Sequence, residues 1–230
     1  QTIKVGVQTI TECDVHRILG LTVNASLSWR DHIYGVGGLL NSIKQRTGAL
    51  KRISYHVPSQ YLSQIAQAII VSKIRYGIGI YGDVRIHDTD PIPEASKDLQ
   101  VAMNNAMRIV TKTHRKDHIR ISDLIHQTGI ESFNRISAAE KTMLIWQAVN
   151  EENSPLADTV ERMTVDGGGV ASRARARGDL RTMARTTRGQ RNFPEPGIRL
   201  WNSASQNVRE AKSKRVAKKE IKIFCSSLPL

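Results

Sequence analysis

The chain has 230 residues, 40% of them apolar and 24% charged, with 34 Lys and Arg against 21 Asp and Glu and a formal net charge of +13. Such a balance suits one medium or two small globular cores and excludes collagen-like, wholly disordered and membrane-spanning classes. The most apolar stretch, residues 65–71 with Gln67 inside it, stops at Lys73, far short of the roughly 20 residues of a spanning helix. Gln1 is not an initiator methionine and no leader pattern follows it, so the chain is expected to start inside a longer protein. Cys13 and Cys225 are too few for a disulfide framework and too far apart for a metal knuckle. A reducing, intracellular setting is expected, in cytoplasm and nucleus.

Residues 3–10 and 17–23 are rich in β-branched side chains and flank residues 11–14, which predicts the two strands of one hairpin within 1–33. A helix is expected from Ser28, as N-cap with Asp31 in the first turn, to about Ile53, weakened at Gly35, Gly37 and Gly38. Pro58 and Ser59 open another, with Leu62, Ile65, Ala66, Ile69 and Ile70 on one face. After a loop holding Asp83, Asp88, Asp90, Pro91 and Pro93, Leu99, Ala102, Met103, Ala106 and Val110 form a buried stripe. A short helix over 122–127 ends at Gly129, and one over 131–150 places Phe133, Ile136, Ala139, Met143 and Trp146 together. Ser154 and Pro155 begin a further turn or two. The stretch 165–191 lacks apolar periodicity and is expected to be an Arg/Gly-rich linker. Residues 196–203, with Leu200 and Trp201, and 213–224, with Val216, Ile221 and Phe224, predict two last helices, the second basic and amphipathic. The expected fold is mainly α: a helical bundle over 34–164, a small N-terminal β-hairpin, and a basic, partly disordered C-terminal segment, ordered again over 192–230.

Charge is uneven. Residues 1–150 carry +6, 151–167 carry −4 and 168–230 carry +11. A basic tract attracts polyanions because neutralised phosphates release condensed counterions, so RNA and DNA are the expected partners. Arg173, Arg175, Arg177, Arg181, Arg185, Arg188 and Arg191 are the leading candidates, since guanidinium forks match phosphate oxygens bidentately. Lys44, Arg52, Arg108 and Lys112, beside or opposite apolar stripes, are secondary candidates. His114 and His118 stand four apart without the following glutamate of a zinc helix, and the Asp83, Asp88 and Asp90 group lies in a Pro-containing loop where acids are common. No metal site is expected. Trp29, Trp146 and Trp201 fall on apolar faces and read as core.

Five segments in order carry a resemblance: RILGLTV at 17–23, LSWRDHI at 27–33, RYGIGIYG at 75–82, LQ at 99–100 with NAMRIV at 105–110, and Phe193 through GIRLWN at 197–202. Together they resemble the region downstream of the polymerase active site in reverse transcriptases of non-LTR (LINE-like, jockey-type) retrotransposons. The resemblance implies a hairpin closing the palm, a Trp-x-x-His helix starting the thumb, and helices beyond that grip the template–primer duplex. It implies RNA-directed DNA polymerase activity for a parent protein whose palm and fingers lie upstream. The family's aromatic-x-Asp-Asp turn, which holds the catalytic Mg2+ ions, has no counterpart here because no two Asp are adjacent. No catalytic residue and no cofactor is therefore expected in this chain, which should be inactive alone. Ser203 and Ala204 depart from the Leu-Pro that usually follows Trp-Asn in the family. The alternative is a domesticated or relic helical scaffold for protein interaction, with an incidental basic tail.

Overall fold

The structure is a computed structural model and describes residues 2–151, 153–161, 178–181 and 193–230. It is mainly helical with small N-terminal antiparallel pairing, as the composition and periodicity predict. The pairing itself differs from expectation. Strand β1 (Thr2–Val5) pairs with β2 (Gln8–Thr11), and β3 (Val15–Ile18) pairs with β4 (Leu21–Asn24), giving two hairpins instead of one. Gly6 at φ 62° closes the first turn, and Leu19 with Gly20, at φ 47° and 83°, closes the second. Both φ positive in a two-residue loop is the turn geometry that matches strand twist. An apolar alternation of period two looks the same in one long hairpin or two short ones, so the glycines decide.

Helix α1 (Arg30–Tyr34) and α2 (Leu39–Ile53) replace the single helix expected from Ser28. The break falls at 35–38, where a Cβ on Gly38 would stand 2.8 Å from the carbonyl oxygens of Ile33 and Gly35. Ser28 does not cap α1; the Asn24 side chain accepts from its amide instead. Residues 59–75 form one continuous helix: α3 (Ser59–Ala66), a π-helical turn (Gln67–Val71) and α4 (Ser72–Arg75). Leu62, Ala66 and Ile70 of the predicted face are fully buried, with Ile65 and Ile69 packed at its edge. Helix α5 (Ile78–Tyr81) leads into the loop before α6 (Glu94–Thr111), whose Leu99, Ala102, Met103, Ala106 and Val110 are all buried. A 3-10 turn (Arg115–Asp117) precedes α7 (Ile121–Thr128), which ends on Gly129 at φ 67°.

Helix α8 (Phe133–Asn150) is the axis of the fold. Ser132 caps it by accepting from the Arg135 amide. It is buried over most of its circumference, polar residues included: Ser137, Lys141 and Thr142 have no exposed surface, while the Glu140 side chain stays 42% exposed. It touches α5, α6 and α9 (Ala157–Glu161), and also α10 (Glu195–Ser203) and α12 (Lys214–Ser226), with α11 (Gln206–Arg209) between the last two. One apolar cluster joins the second hairpin to α1–α8, and a second joins α8 to α10–α12. In α12 the buried stripe is Ala217, Ile221 and Cys225, while Val216 is 45% exposed, a one-residue rotation from the predicted face. Among the described residues no helix is long and apolar enough to cross a membrane.

Candidate nucleic-acid interface

Which end of the bundle each cation reaches follows from helix direction. Tyr34, just ahead of α2, donates to Asp98 in α6 at 2.9 Å, and the His32 ring lies against Tyr81, centroids 5.0 Å apart. Ser96 of α6 donates to Asp83, two residues past α5. Helices α2 and α6 thus start side by side and run in the same direction. Arg46 of α2 donates to the Ile69 carbonyl at 2.8 Å, so the 59–75 helix returns antiparallel. The last turns of α2 and α6, the first turn of α3 and the loop after α6 therefore share one pole.

This pole is strongly basic. Lys51, Arg52, Arg108, Lys112, Arg115, Lys116 and Arg120 gather there against Asp117 and Asp123, and all but the half-buried Arg108 are exposed. The helix dipole accounts for one or two cations in a last turn, which covers Lys51, Arg52 and Arg108. It does not account for Lys112, Arg115, Lys116 and Arg120, which lie beyond the end of α6. Lys112 itself terminates α6 in the left-handed conformation, φ 56°. The supply of acids is as informative as the supply of bases. Residues 32–82 contain no Asp or Glu at all, while Lys44, Arg46, Lys51, Arg52, Lys73 and Arg75 lie among them.

A second basic surface is the outer face of α12, where Lys214, Arg215, Lys218, Lys219 and Lys222 are all exposed. Lys214 stands 3.8 Å from Glu151. Between 67–75, α8 and α12 runs a groove of about 400 Å³ with an apolar floor. Two of its cations, Arg75 and Arg135, face Glu140 and Glu131 at 3.4 and 3.5 Å, while Lys218 and Lys222 of the α12 surface form its other wall.

Of the sequence-predicted site residues, Arg173, Arg175, Arg177, Arg185, Arg188 and Arg191 lie outside the described residues. Arg181 is exposed and ends a short packed segment inside the range assigned to the linker. That segment is clasped from α10: the Asn202 side chain bonds both Leu180 N and O at 2.8 Å, and Trp201 Nε1 donates to the Gly178 carbonyl. Arg209 pairs with Asp179 at 2.7 Å and lies 5.8 Å from the Trp201 ring centroid. Arg52, Arg108 and Lys112 lie toward the same end of the packed α2 and α6, and Arg108 Nε is buried without a hydrogen-bond partner. Lys44, exposed on α2, sits eight residues before Arg52, about 12 Å back along the axis. Lys51, Arg115, Lys116 and Arg120 are not singled out by the sequence pattern, whereas the basic face of α12 is the one expected of residues 213–224. For Lys51 the available signal was the carboxylate-free stretch from 32 to 82.

Trp146 and Trp201 are buried and Trp29 packs on the first cluster, so all three are core residues as expected. His114 and His118 do not share a helix face: they bracket the 3-10 turn, where His114 and Asp117 form a capping box. Asp90 accepts from the Ile86 and His87 amides at 2.9 and 3.0 Å, Asp83 accepts from Ser96, and the exposed Asp88 lies 4.0 Å from Arg85. Among the described residues no three His, Cys, Asp or Glu side chains gather to hold a metal ion. No protein-family model, curated protein or solved structure matches the chain.

Proposed function

We propose that the chain binds nucleic acid through phosphate contacts, as the thumb and C-terminal part of a non-LTR retrotransposon reverse transcriptase gripping its template–primer duplex. Palm and fingers, with their Mg2+ ions, belong to the same polyprotein upstream. Because the contacts are to backbone, they carry no sequence preference between the RNA and DNA strands; the proposed setting is cytoplasm and nucleus. One observation carries the reading: the shared end of α2, α3 and α6 brings seven Lys and Arg together against two acids. Supporting it are the helical body, hairpins too small to stand alone, and the five resembling segments in family order.

The test is the salt dependence of binding. With the full chain and a 12-bp RNA–DNA hybrid, four engaged phosphates give a log–log slope of about −3 to −4. Joint replacement of Lys51, Arg52, Arg115 and Lys116 by Gln should remove roughly one unit of slope for each phosphate no longer neutralised. A wild-type slope near zero refutes phosphate binding. A wild-type slope retained by the fourfold variant removes the pole as its site.

A further inference from the structure

The five tyrosines of this chain divide into two kinds. Tyr34 donates its hydroxyl to Asp98, Tyr76 to the Leu19 carbonyl at 2.5 Å, and Tyr81 to the Ile74 carbonyl. Each of these three ties one element to another or closes a local joint. Tyr55 and Tyr61 do neither. They are 76% and 51% exposed, and their hydroxyls make no hydrogen bond among the described residues. Both stand at the α2–α3 turn, Tyr55 just past the last turn of α2 and Tyr61 in the first turn of α3, six residues apart. The turn between them holds exposed His56 and Pro58.

Exposed apolar side chains are common on this chain, Tyr76 among them at 55%; Tyr55 and Tyr61 differ in that, among the described residues, neither hydroxyl ties down another part of the fold. Their surroundings say what would cover them. Lys51 and Arg52 immediately precede Tyr55, and the cations of the 112–120 loop share the pole. No carboxylate lies between 32 and 82, so at this pole only Asp117 and Asp123 oppose a polyanion. Exposed rings beside backbone-tracking cations are the arrangement that holds unpaired bases, because every base has a π-face and stacking tolerates any sequence. A duplex offers phosphates to Lys51 and Arg52 but keeps its base faces inside its own stack.

We infer that Tyr55 and Tyr61 form a stacking platform for single-stranded nucleic acid, with Lys51 and Arg52 holding the adjoining phosphates. The inference rests on the phosphate-binding reading above and adds a strand preference to it. The platform takes the unpaired segment that continues beyond a duplex gripped at the same pole.

Anisotropy titrations of the full chain with labelled 12-nt oligouridine and with a 12-bp RNA–DNA hybrid test it at one salt concentration. Joint Tyr55→Ala and Tyr61→Ala should weaken oligouridine binding by about 30-fold or more, since each base left unstacked is worth roughly five- to 100-fold. Hybrid binding should change by less than about threefold. Both rings are exposed, so the variant keeps its fold, and joint Tyr55→Phe and Tyr61→Phe, which keeps the π-faces, should bind oligouridine as wild type does. Oligouridine affinity that survives the Ala changes, an equal loss on both probes, or a Phe variant as weak as the Ala variant overturns the platform while leaving the phosphate reading intact. A wild-type chain that binds neither probe overturns both.

Discussion

Lys141 supplies the sharpest energetic test of the fold. Its ammonium has no exposed surface, donates to the Gly79 carbonyl at 2.7 Å and lies 5.9 Å from the Phe193 ring centroid. Burial lowers its pKa from the usual 10.5 to about 8, against a smaller upward pull from Asp83. At about 1.4 kcal/mol per unit, folding with the charge costs about 3 kcal/mol more than folding with the neutral amine. The sign follows from proton counts. Between pH 8 and 10.5 the unfolded chain holds a proton that the folded chain has shed, so Lys141 adds stability as pH rises through that window. Cys225 acts oppositely: burial raises its thiol from 9.0 to about 12, so stability falls with pH above 9, and buried Tyr81 adds to the fall. The wild-type curve should therefore climb from pH 8, flatten near 9 and then decline. Lys141→Met isolates the lysine, since Met is unbranched, uncharged and of similar bulk. It leaves the Gly79 carbonyl unpaired at a cost of about 1–3 kcal/mol. The variant should thus match or exceed wild type by up to about 2 kcal/mol at pH 7, yet be less stable by about 1–3 kcal/mol at pH 10.5. Urea unfolding followed by circular dichroism at both pH values measures the swing. A stability difference that stays constant between them refutes the charged, buried assignment of Lys141.

Two further predictions probe the joints that hold the surfaces in place. Asn202→Ala removes both bonds to the Leu180 backbone; with a buried amide left unpaired, the loss should be about 1–3 kcal/mol, and limited proteolysis should cut near 178–181 sooner than in wild type. His32 accepts from the Thr22 amide at 3.3 Å, and burial, then Lys73 and Arg17, lower its pKa below 6.5. The unfolded chain then takes up a proton first, so stability is lost as pH falls below 6.5 toward the lower folded value. Comparing urea midpoints at pH 7 and pH 5 for wild type and His32→Gln checks this: the variant should lose less on acidification, and an equal loss would sink the assignment.

Helices with one apolar face were legible in the sequence. The stripe of α6 and the Gly129 stop of α7 stand where spacing put them, because 3.6-residue periodicity and a left-handed glycine are local signals. Helix α8 is legible as a helix but its surroundings are not. Taking Phe133, Ile136, Ala139, Met143 and Trp146 as its buried face implies a polar back, yet Ser137, Lys141 and Thr142 are equally buried because other helices cover that back. In α12 the small residues Ala217 and Cys225 line the buried face, and a pattern anchored on large apolar side chains points to Val216 instead. The basic pole was out of reach for a different reason. Its parts are some 60 residues apart in sequence and meet only because α2 and α6 run in the same direction. No local pattern encodes that.

The segments that carry the family resemblance turn out to be joints. Leu21, in the first, packs so closely on Gly77, in the third, that a Cβ there would come within 2.8 Å of its side chain. His32, in the second, holds the Thr22 amide and packs its ring, tilted by 60°, against Tyr81. Trp201 and Asn202, in the last, clasp 178–181. Such positions demand one side chain because two elements must meet there at a fixed distance, and that demand is what makes them recognisable as motifs. A polyanion-binding surface makes no such demand. If the α2–α6 pole is such a surface, any Lys or Arg there supplies the same counterion release, and few carboxylates oppose it: none from 32 to 82, with Asp117 and Asp123 beyond α6. On the phosphate-binding reading proposed above, binding at this pole is spread over several interchangeable cations, each worth about one counterion. Single substitutions there should do little, and removing four charges at once is the perturbation that separates a binding surface from a merely solvated one.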